Sequence, residues 1–254
     1  MLSNDTQKRL ADIIQGILIE GQKDHLAAAR NFLLGSFSTS TKVEKNFEQQ
    51  SAIKKKQAEY LTQFIEERSL WMNDVLNEKN YLTEGGEAKI YMTADNRTVV
   101  KLNDAIYYNT WLDFLNSVAI HNILFEETAY RLEGFILKND CLFAVLSQPF
   151  IISDGQTDLS DVKYYLEYNG FVNTRRNDYY NKELGLILED MHDENVLVNS
   201  NKLFFIDTVF YIHLPWTNTQ AAIHQKNHYN FFTKWCAANK KPLFKYSLWA
   251  SLRV

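Results

Sequence analysis

The stretch Leu186–Thr208, LILEDMHDENVLVNSNKLFFIDT, restricts the fold of this chain more than any other segment. Two short apolar runs, Leu186–Leu188 and Val196–Val198, flank a polar cluster. A turn at Asn199–Lys202 leads to a third apolar run, Leu203–Ile206. Short apolar runs bounded by polar turns are typical of buried strands. The segment therefore predicts three strands that hold the polar residues between them rigidly.

Three polar side chains of this stretch, Asp190, Asn195 and Asp207, are predicted to face one spot. Phosphoryl transfer from Mg·ATP uses one acid to orient the nucleophile, while an asparagine and a second acid hold the metal on the phosphates. Asp190 is therefore the candidate catalytic base, and Asn195 and Asp207 are the candidate Mg²⁺ ligands. His192 is predicted to support the loop through its backbone rather than to carry a proton.

Composition places the 254-residue chain among soluble globular proteins, with 46% hydrophobic and 23% charged residues. The net charge of −4 gives no overall attraction to nucleic acid or an anionic membrane and argues against both as partners. No stretch approaches the roughly 18 apolar residues of a membrane span, and the N-terminus lacks a signal-peptide pattern. The two cysteines have no CxxC spacing, and Cys141 is predicted to be a buried thiol in an apolar run. A cytoplasmic location is expected.

Residues 1–80 are predicted to form an N-terminal helical region. The first helix has an amphipathic stripe formed by Leu10, Ile13, Ile14, Ile17 and Leu18. In the third helix, the run Lys54–Lys56 is predicted to be a solvated helix face, with contact to an acidic partner or nucleic acid as the alternative. The region is expected to be either a buttress for the domain that follows or a docking surface for another protein.

Residues 81–152 are predicted to form a five-stranded antiparallel sheet with one helix. Gly85 and Gly86 lie in a turn between two strand-like runs, and Lys101 lies in the β-branched run TVVKL. A lysine inside such a strand needs an ionic partner or a phosphate. Together these features resemble the phosphate-covering loop of kinases and the lysine that contacts the phosphates.

The helix and the hinge of this unit supply three further candidates. Asp113 is the predicted acid partner of Lys101, and a solvent-facing Asp113 is the open alternative. Pro149 cannot continue a central strand, so the chain is predicted to leave the sheet there and to form a hinge near residues 148–151. Gln148 and Phe150 would contact adenine through the backbone of this hinge. Residues 153–254 are predicted to form a reduced C-lobe with the catalytic loop, the metal-binding Asp207 and a C-terminal helix.

The segment DMHDEN at Asp190–Asn195, followed by Ile206-Asp207, is similar to the HGDxHxxN…IDW arrangement of aminoglycoside-phosphotransferase-like kinases and, more distantly, to HRDxxxxN…DFG of protein kinases. More narrowly, LTEGGEAKIY, KLNDA and HDENVL resemble the serine/threonine/tyrosine-kinase-like domain of polyvalent proteins, which are large proteins of phages and conjugative elements. The resemblance implies an α+β, bilobal protein-kinase-like fold, ATP with Mg²⁺, and a bacterial cytoplasm.

This sequence departs from the kinase pattern at several positions. Thr83 and Ala88 replace two glycines of the loop, and Leu188 replaces the histidine two places before the catalytic acid, which removes one orienting hydrogen bond. The main prediction is an ATP- and Mg²⁺-dependent phosphotransferase acting on a hydroxyl of an unidentified protein or small molecule. The alternative is a pseudokinase-type module of a mobile-element polyvalent protein that binds nucleotide or another protein.

Overall fold

A computed structural model describes residues 2–21, 23–37, 47–72, 78–84 and 88–213. These residues form five α-helices and eleven strands, and every strand pairing is antiparallel. The predicted α+β class is therefore confirmed. The bilobal arrangement, the reduced C-lobe and the domain boundaries at residues 80 and 152 stay predictions.

Three helices precede the first sheet, namely α1 (Asn4–Ile14), α2 (His25–Phe37) and α3 (Phe47–Glu67). The predicted stripe of α1 is correct only up to Ile14. Gly16 adopts a φ of +70° directly after the helix, and Ile17 and Leu18 are exposed. A left-handed glycine at this position is a common way to end a helix, and the periodicity of the apolar residues does not detect it.

The first sheet contains five strands in the spatial order β1-β2-β3-β5-β4. Their bounds are Tyr81–Glu84 (β1), Ala88–Met92 (β2), Thr98–Asn103 (β3), Arg131–Lys138 (β4) and Cys141–Pro149 (β5). The prediction that the chain leaves the sheet at Pro149 agrees with the structure, because Pro149 pairs with Thr98 as the last residue of β5. Proline is tolerated there because the pairing of β5 with β4 ends at Ser147, so no ladder partner needs the N–H that Pro149 lacks.

Helix α4 (Trp111–Leu124) packs against α1, α2 and α3, and its Trp111 ring contacts Phe135 of β4. Arg30 of α2 is fully buried. Its Nε donates a hydrogen bond to Asn116 Oδ1 of α4 at 2.7 Å. The same guanidinium donates to the carbonyls of Ile13 and Ile17 at the end of α1. A buried arginine is tolerated only when its donors are satisfied, so this network fixes α1 and α2 against α4.

Residues 150–213 add one helix and six strands. Helix α5 (Leu159–Tyr168) is followed by a four-stranded sheet in the order β11-β8-β7-β6 and by a separate β9–β10 hairpin. The strands are Val172–Arg175 (β6), Asp178–Asn181 (β7), Leu186–Glu189 (β8), Val196–Asn199 (β9), Lys202–Phe205 (β10) and Val209–Ile212 (β11). The three predicted strands of this region therefore exist, but they lie in two different sheets.

Two predictions about single side chains are wrong. Cys141 is exposed at the start of β5. Lys54 does not belong to a solvated face, because its Nζ donates to the carbonyls of Ala105 at 2.6 Å and Tyr108 at 3.1 Å. Burial lowers the pKa of Lys54 to about 8, against the opposing effect of two nearby aspartates. Helix α3 is thus attached to the loop before α4.

Within the described ranges, no helix is both long enough and apolar enough to cross a membrane.

Candidate active site

Lys101 lies in the centre of the five-stranded sheet, on β3 between β2 and β5. Only 5% of the residue is exposed. Its Nζ donates to the Ile206 carbonyl at 2.7 Å and to the Tyr130 hydroxyl at 3.3 Å, and it lies 3.6 Å from Asp207 Oδ1. The prediction that this strand lysine needs a polar partner is confirmed, and the described acid that pairs with it is Asp207.

Asp207 follows β10 in a segment that is tied to the Asp190–Asn195 loop. The Ile206 amide donates to the Asn195 carbonyl at 2.9 Å. About two fifths of the Asp207 side chain is exposed, so its carboxylate has one side toward Lys101 and another toward solvent. A carboxylate in this position can bind a cation without losing its lysine contact.

The loop itself is held by a compact set of hydrogen bonds around Asp190. Asn195 Nδ2 donates to the Asp190 carbonyl at 2.8 Å, and the His192 amide donates to the same oxygen at 2.9 Å. Asp190 has a left-handed φ of +66°, which few residues adopt without such support. Its side chain is 65% exposed, so the carboxylate is at the surface and accessible to a substrate.

His192 contacts both sides of this loop. Its Nδ1 accepts a hydrogen bond from the Glu194 amide at 3.2 Å, and its Nε2 lies 3.5 Å from Asp190 Oδ2. Because Nδ1 is an acceptor, the neutral ring carries its proton on Nε2, toward the aspartate. The predicted supporting role of His192 agrees with these contacts.

Four of the predicted site residues are therefore linked in one chain of contacts. Lys101 pairs with Asp207, the residue before Asp207 bonds to Asn195, and Asn195 bonds to Asp190. These residues come from β3, from the end of β10 and from the loop between β8 and β9. Their roles in catalysis and metal binding stay predictions.

The family comparison agrees with this arrangement. A family model described as Serine/Threonine/Tyrosine Kinase found in polyvalent proteins matches residues 54–214, which is more than half of the chain. The chain belongs to this kinase family. No curated protein and no solved structure matches the chain. Family membership supports phosphotransferase chemistry in general terms, and helices α1 and α2 lie outside the matched range.

The kinase-type pairing predicted for Asp113 is wrong. Asp113 lies in the first turn of α4, where the Thr110 hydroxyl donates to Asp113 Oδ2 at 2.7 Å and the Asp113 amide donates to Thr110 Oγ1 at 3.1 Å. Because the Thr110 backbone amide also bonds to the Asp113 carboxylate, Thr110 and Asp113 form a capping box that begins the helix. The cavity beside Lys101 is lined on the α4 side by Phe114 and Val118, so α4 turns an apolar face toward the lysine.

The predicted adenine contacts are only partly supported by the geometry. Gln148 is buried, and its Nε2 donates to the Thr128 carbonyl at 2.7 Å, so its side chain has a structural role. The Phe150 amide donates to the Arg97 carbonyl at 2.9 Å and is therefore already used, while the Phe150 ring is 39% exposed. Gly85 and Gly86, the predicted phosphate-covering glycines, lie outside the described residues.

One acid and one backbone carbonyl that support the Asp190 loop were not predicted from the sequence. Asp178 Oδ1 accepts from the Asp190 amide at 3.2 Å, and the neighbouring Asn177 carbonyl accepts from the Met191 amide at 2.9 Å. Both acceptors belong to the β6–β7 hairpin, which was not predicted as strands. Its turn therefore fixes the backbone on which Asp190 is presented.

Glu189, the residue before Asp190, has an altered ionisation. Burial, with the charges of Asp178 and Asp190 acting in the same direction, raises the pKa of Glu189 to about 8. Burial also raises the pKa of Asp178. Close to neutral pH, Glu189 is therefore mainly protonated. The only sequence signal was its position at the end of the apolar run that leads to Asp190.

A cavity of about 630 Å³ lies elsewhere. It is bounded by Leu124–Thr128, by α5 and by the β9–β10 hairpin. None of the predicted site residues lines it. Because convergent polar groups define a site better than volume does, the cluster around Lys101 and Asp207 is the candidate active site.

Proposed function

We propose that this chain is an ATP- and Mg²⁺-dependent phosphotransferase that acts on a hydroxyl of a protein or small molecule. The observation that carries the proposal is the contact chain from Lys101 through Asp207 and Asn195 to Asp190. These residue types are the set that phosphoryl transfer uses to bind phosphates, hold metal and orient the acceptor.

The two proposed metal ligands present the donor atoms that Mg²⁺ prefers. Mg²⁺ binds oxygen ligands and keeps several water molecules, so one carboxylate and one amide oxygen suffice beside the phosphates. Asn195 uses its Nδ2 for the Asp190 carbonyl, and none of the described residues donates to its Oδ1. Asp207 is partly exposed. Both oxygens would therefore be available, and the metal would neutralise charge on the phosphates.

Lys101 and Asp190 would carry the remaining roles. The Lys101 ammonium would donate to phosphate oxygens with little rearrangement, because it is already held between the Ile206 carbonyl and Asp207. Asp190 would accept the proton of the acceptor hydroxyl, because its carboxylate is exposed while its backbone is fixed by three hydrogen bonds. Glu189, kept mainly neutral by burial, would leave Asp190 as the charged member of this acidic pair.

The binding part of the proposal is tested by thermal unfolding with ATP in the presence and absence of Mg²⁺. The wild type should be stabilised only when both are added, and Lys101→Met should weaken ATP binding about tenfold or more, since a charge-assisted contact is lost. Lys138→Met, which changes an exposed lysine at the end of β4, is the matched control. No stabilisation of the wild type by millimolar Mg·ATP would overturn the proposal.

The alternative, a pseudokinase-type nucleotide-binding or interaction module, is favoured by one observation. The Phe150 amide at the predicted hinge is occupied by the Arg97 carbonyl, which weakens the expected adenine contact. ADP formation separates the two functions. An active enzyme should lose about 100-fold or more of its turnover in Asp190→Asn and keep it in Asp193→Asn, an exposed acid of the same loop. Equal turnover in all three proteins would favour the alternative.

A further inference from the structure

His121 of α4 is a fully buried histidine that reaches the segment containing Asp207. Its Nδ1 lies 2.7 Å from Thr208 Oγ1, and its Nε2 lies 2.9 Å from the Thr128 carbonyl. A carbonyl only accepts, so Nε2 must carry the ring proton, and Nδ1 must accept from the Thr208 hydroxyl. Burial lowers the pKa of His121 to about 3, which agrees with a neutral ring of fixed tautomer.

A second contact from α4 holds the same segment at Phe210, two residues after Thr208. Ser117, one helical turn before His121, accepts from the Phe210 amide at 2.9 Å through its Oγ. On the other side of Asp207, the Tyr130 hydroxyl donates to the Ile206 carbonyl at 2.7 Å. The backbone around Asp207 is therefore fixed at residues 206, 208 and 210.

Strand β8, which leads to Asp190 and pairs with β11, offers no polar side chain at Leu188 that could make the contact of His121. Leu188, two residues before Asp190, is fully buried and has only apolar side-chain atoms. Thr208 is also buried, with 7% exposure, so its hydroxyl needs a partner within the protein. His121 satisfies that hydroxyl and connects it to a helix that the N-terminal helices already hold.

We propose that His121 is a positioning residue that, through Thr208, sets the orientation of the Asp207 carboxylate toward the metal. The inference rests on the proposed function, since it assigns part of the geometry of that site to α4. His121 contacts neither metal nor nucleotide in this role. Metal binding by a single carboxylate is sensitive to such supporting contacts, whose loss typically weakens metal affinity.

The test uses the Mg²⁺ concentration that gives half of the ATP-dependent thermal stabilisation of the full chain. Thr208→Val removes one hydroxyl at nearly constant volume, and His121→Gln keeps a donor for the Thr128 carbonyl. Each variant should raise the Mg²⁺ midpoint about fivefold, the equivalent of one hydrogen bond, while the ATP concentration that gives half of the stabilisation at saturating Mg²⁺ stays within twofold. The double variant should not exceed the larger single effect, because both changes break the same contact.

Two further variants separate positioning from general damage. His121→Asn, whose amide oxygen can replace Nδ1 as the acceptor for Thr208, should stay closer to the wild type. Thr62→Val removes a hydroxyl that donates to the Ala58 carbonyl within α3 and should leave the Mg²⁺ midpoint unchanged. If His121→Gln does not fold, the comparison of the Mg²⁺ midpoints of Thr208→Val and Thr62→Val is sufficient for the test.

The outcomes distinguish this inference from the function on which it rests. A normal Mg²⁺ midpoint in Thr208→Val and His121→Gln, with only a lower melting temperature, would overturn the positioning role and leave the proposed function intact. A wild type without any Mg²⁺-dependent response to ATP would overturn the proposed function, and the positioning role with it.

Discussion

Replacement of Glu189 by glutamine should stabilise the protein, and the gain should grow as the pH rises. Glu189 has a pKa raised from 4.5 to about 8 by burial next to Asp178 and Asp190. Below pH 4.5 the carboxyl is protonated in both the folded and the unfolded chain and has no cost. Between pH 4.5 and 8 the unfolded chain releases the proton while the folded chain keeps it, so the wild type loses stability.

The size of the effect follows from the two pKa values. Each unit of difference corresponds to 1.36 kcal/mol, so the stability gap between Glu189→Gln and wild type should widen by about 3 kcal/mol from pH 5 to pH 8. Glutamine has nearly the same shape and no charge at any pH. The difference between the two proteins therefore isolates Glu189 from other titrating groups.

Urea unfolding of both proteins at pH 5, 6.5 and 8 measures this difference. Asp140→Asn, a change of an exposed acid in the turn between β4 and β5, provides the control and should show no comparable widening. A gap between Glu189→Gln and wild type that stays constant over the three pH values would refute the argument. It would mean that Glu189 is ionised in the folded protein.

Two further predictions concern the scaffold of the site. Arg30→Met should lower the free energy of unfolding by about 3 kcal/mol or more, because it leaves several buried acceptors around α1 and α4 unsatisfied. The control Arg9→Met, which breaks only an exposed ion pair, should cost less than about 1 kcal/mol, and equal losses in urea unfolding would contradict this account. Gly134→Ala should also lower the melting temperature, by roughly 5 °C or more, because its Cβ would lie 2.4 Å from the Leu70 carbonyl. An unchanged melting temperature would show that the Leu70 segment adapts without cost.

The Asp190–Asn195 loop and the strands around it were the most predictable part of this fold. Apolar runs with polar turns predicted β8, β9 and β10 within about one residue at each end. The β6–β7 hairpin was missed because its strands are short, polar and aromatic. Its turn has Arg176 at a φ of +46° instead of a glycine that would signal a hairpin. The hairpin provides the backbone support for Asp190, so part of the site was not visible in the sequence.

Partners distant in sequence were the main source of error. Lys54 lies on a helix whose rotation the sequence pattern does not fix, so the local composition could not show that it binds the Ala105 carbonyl, 51 positions later. Asp113 is the exception, because its partner Thr110 lies three residues before it and the Thr-x-x-Asp spacing is itself a helix-cap pattern. The role of α4 as the holder of the Asp207 segment likewise depends on His121 meeting Thr208, 87 positions later. Residue types predicted the chemistry of the candidate site, while tertiary contacts determined which side chains support it.

Electron paramagnetic resonance of free Mn²⁺, used in place of Mg²⁺, tests the central claim most directly. In the presence of ATP the wild type should bind one or two Mn²⁺ ions more tightly than ATP alone does. Asp207→Asn and Asn195→Ala should each weaken this protein-dependent binding about tenfold, while Asp193→Asn should leave it unchanged. Equal Mn²⁺ binding by wild type and Asp207→Asn would contradict the assignment of Asp207 as the metal ligand, and with it the proposed phosphotransfer site.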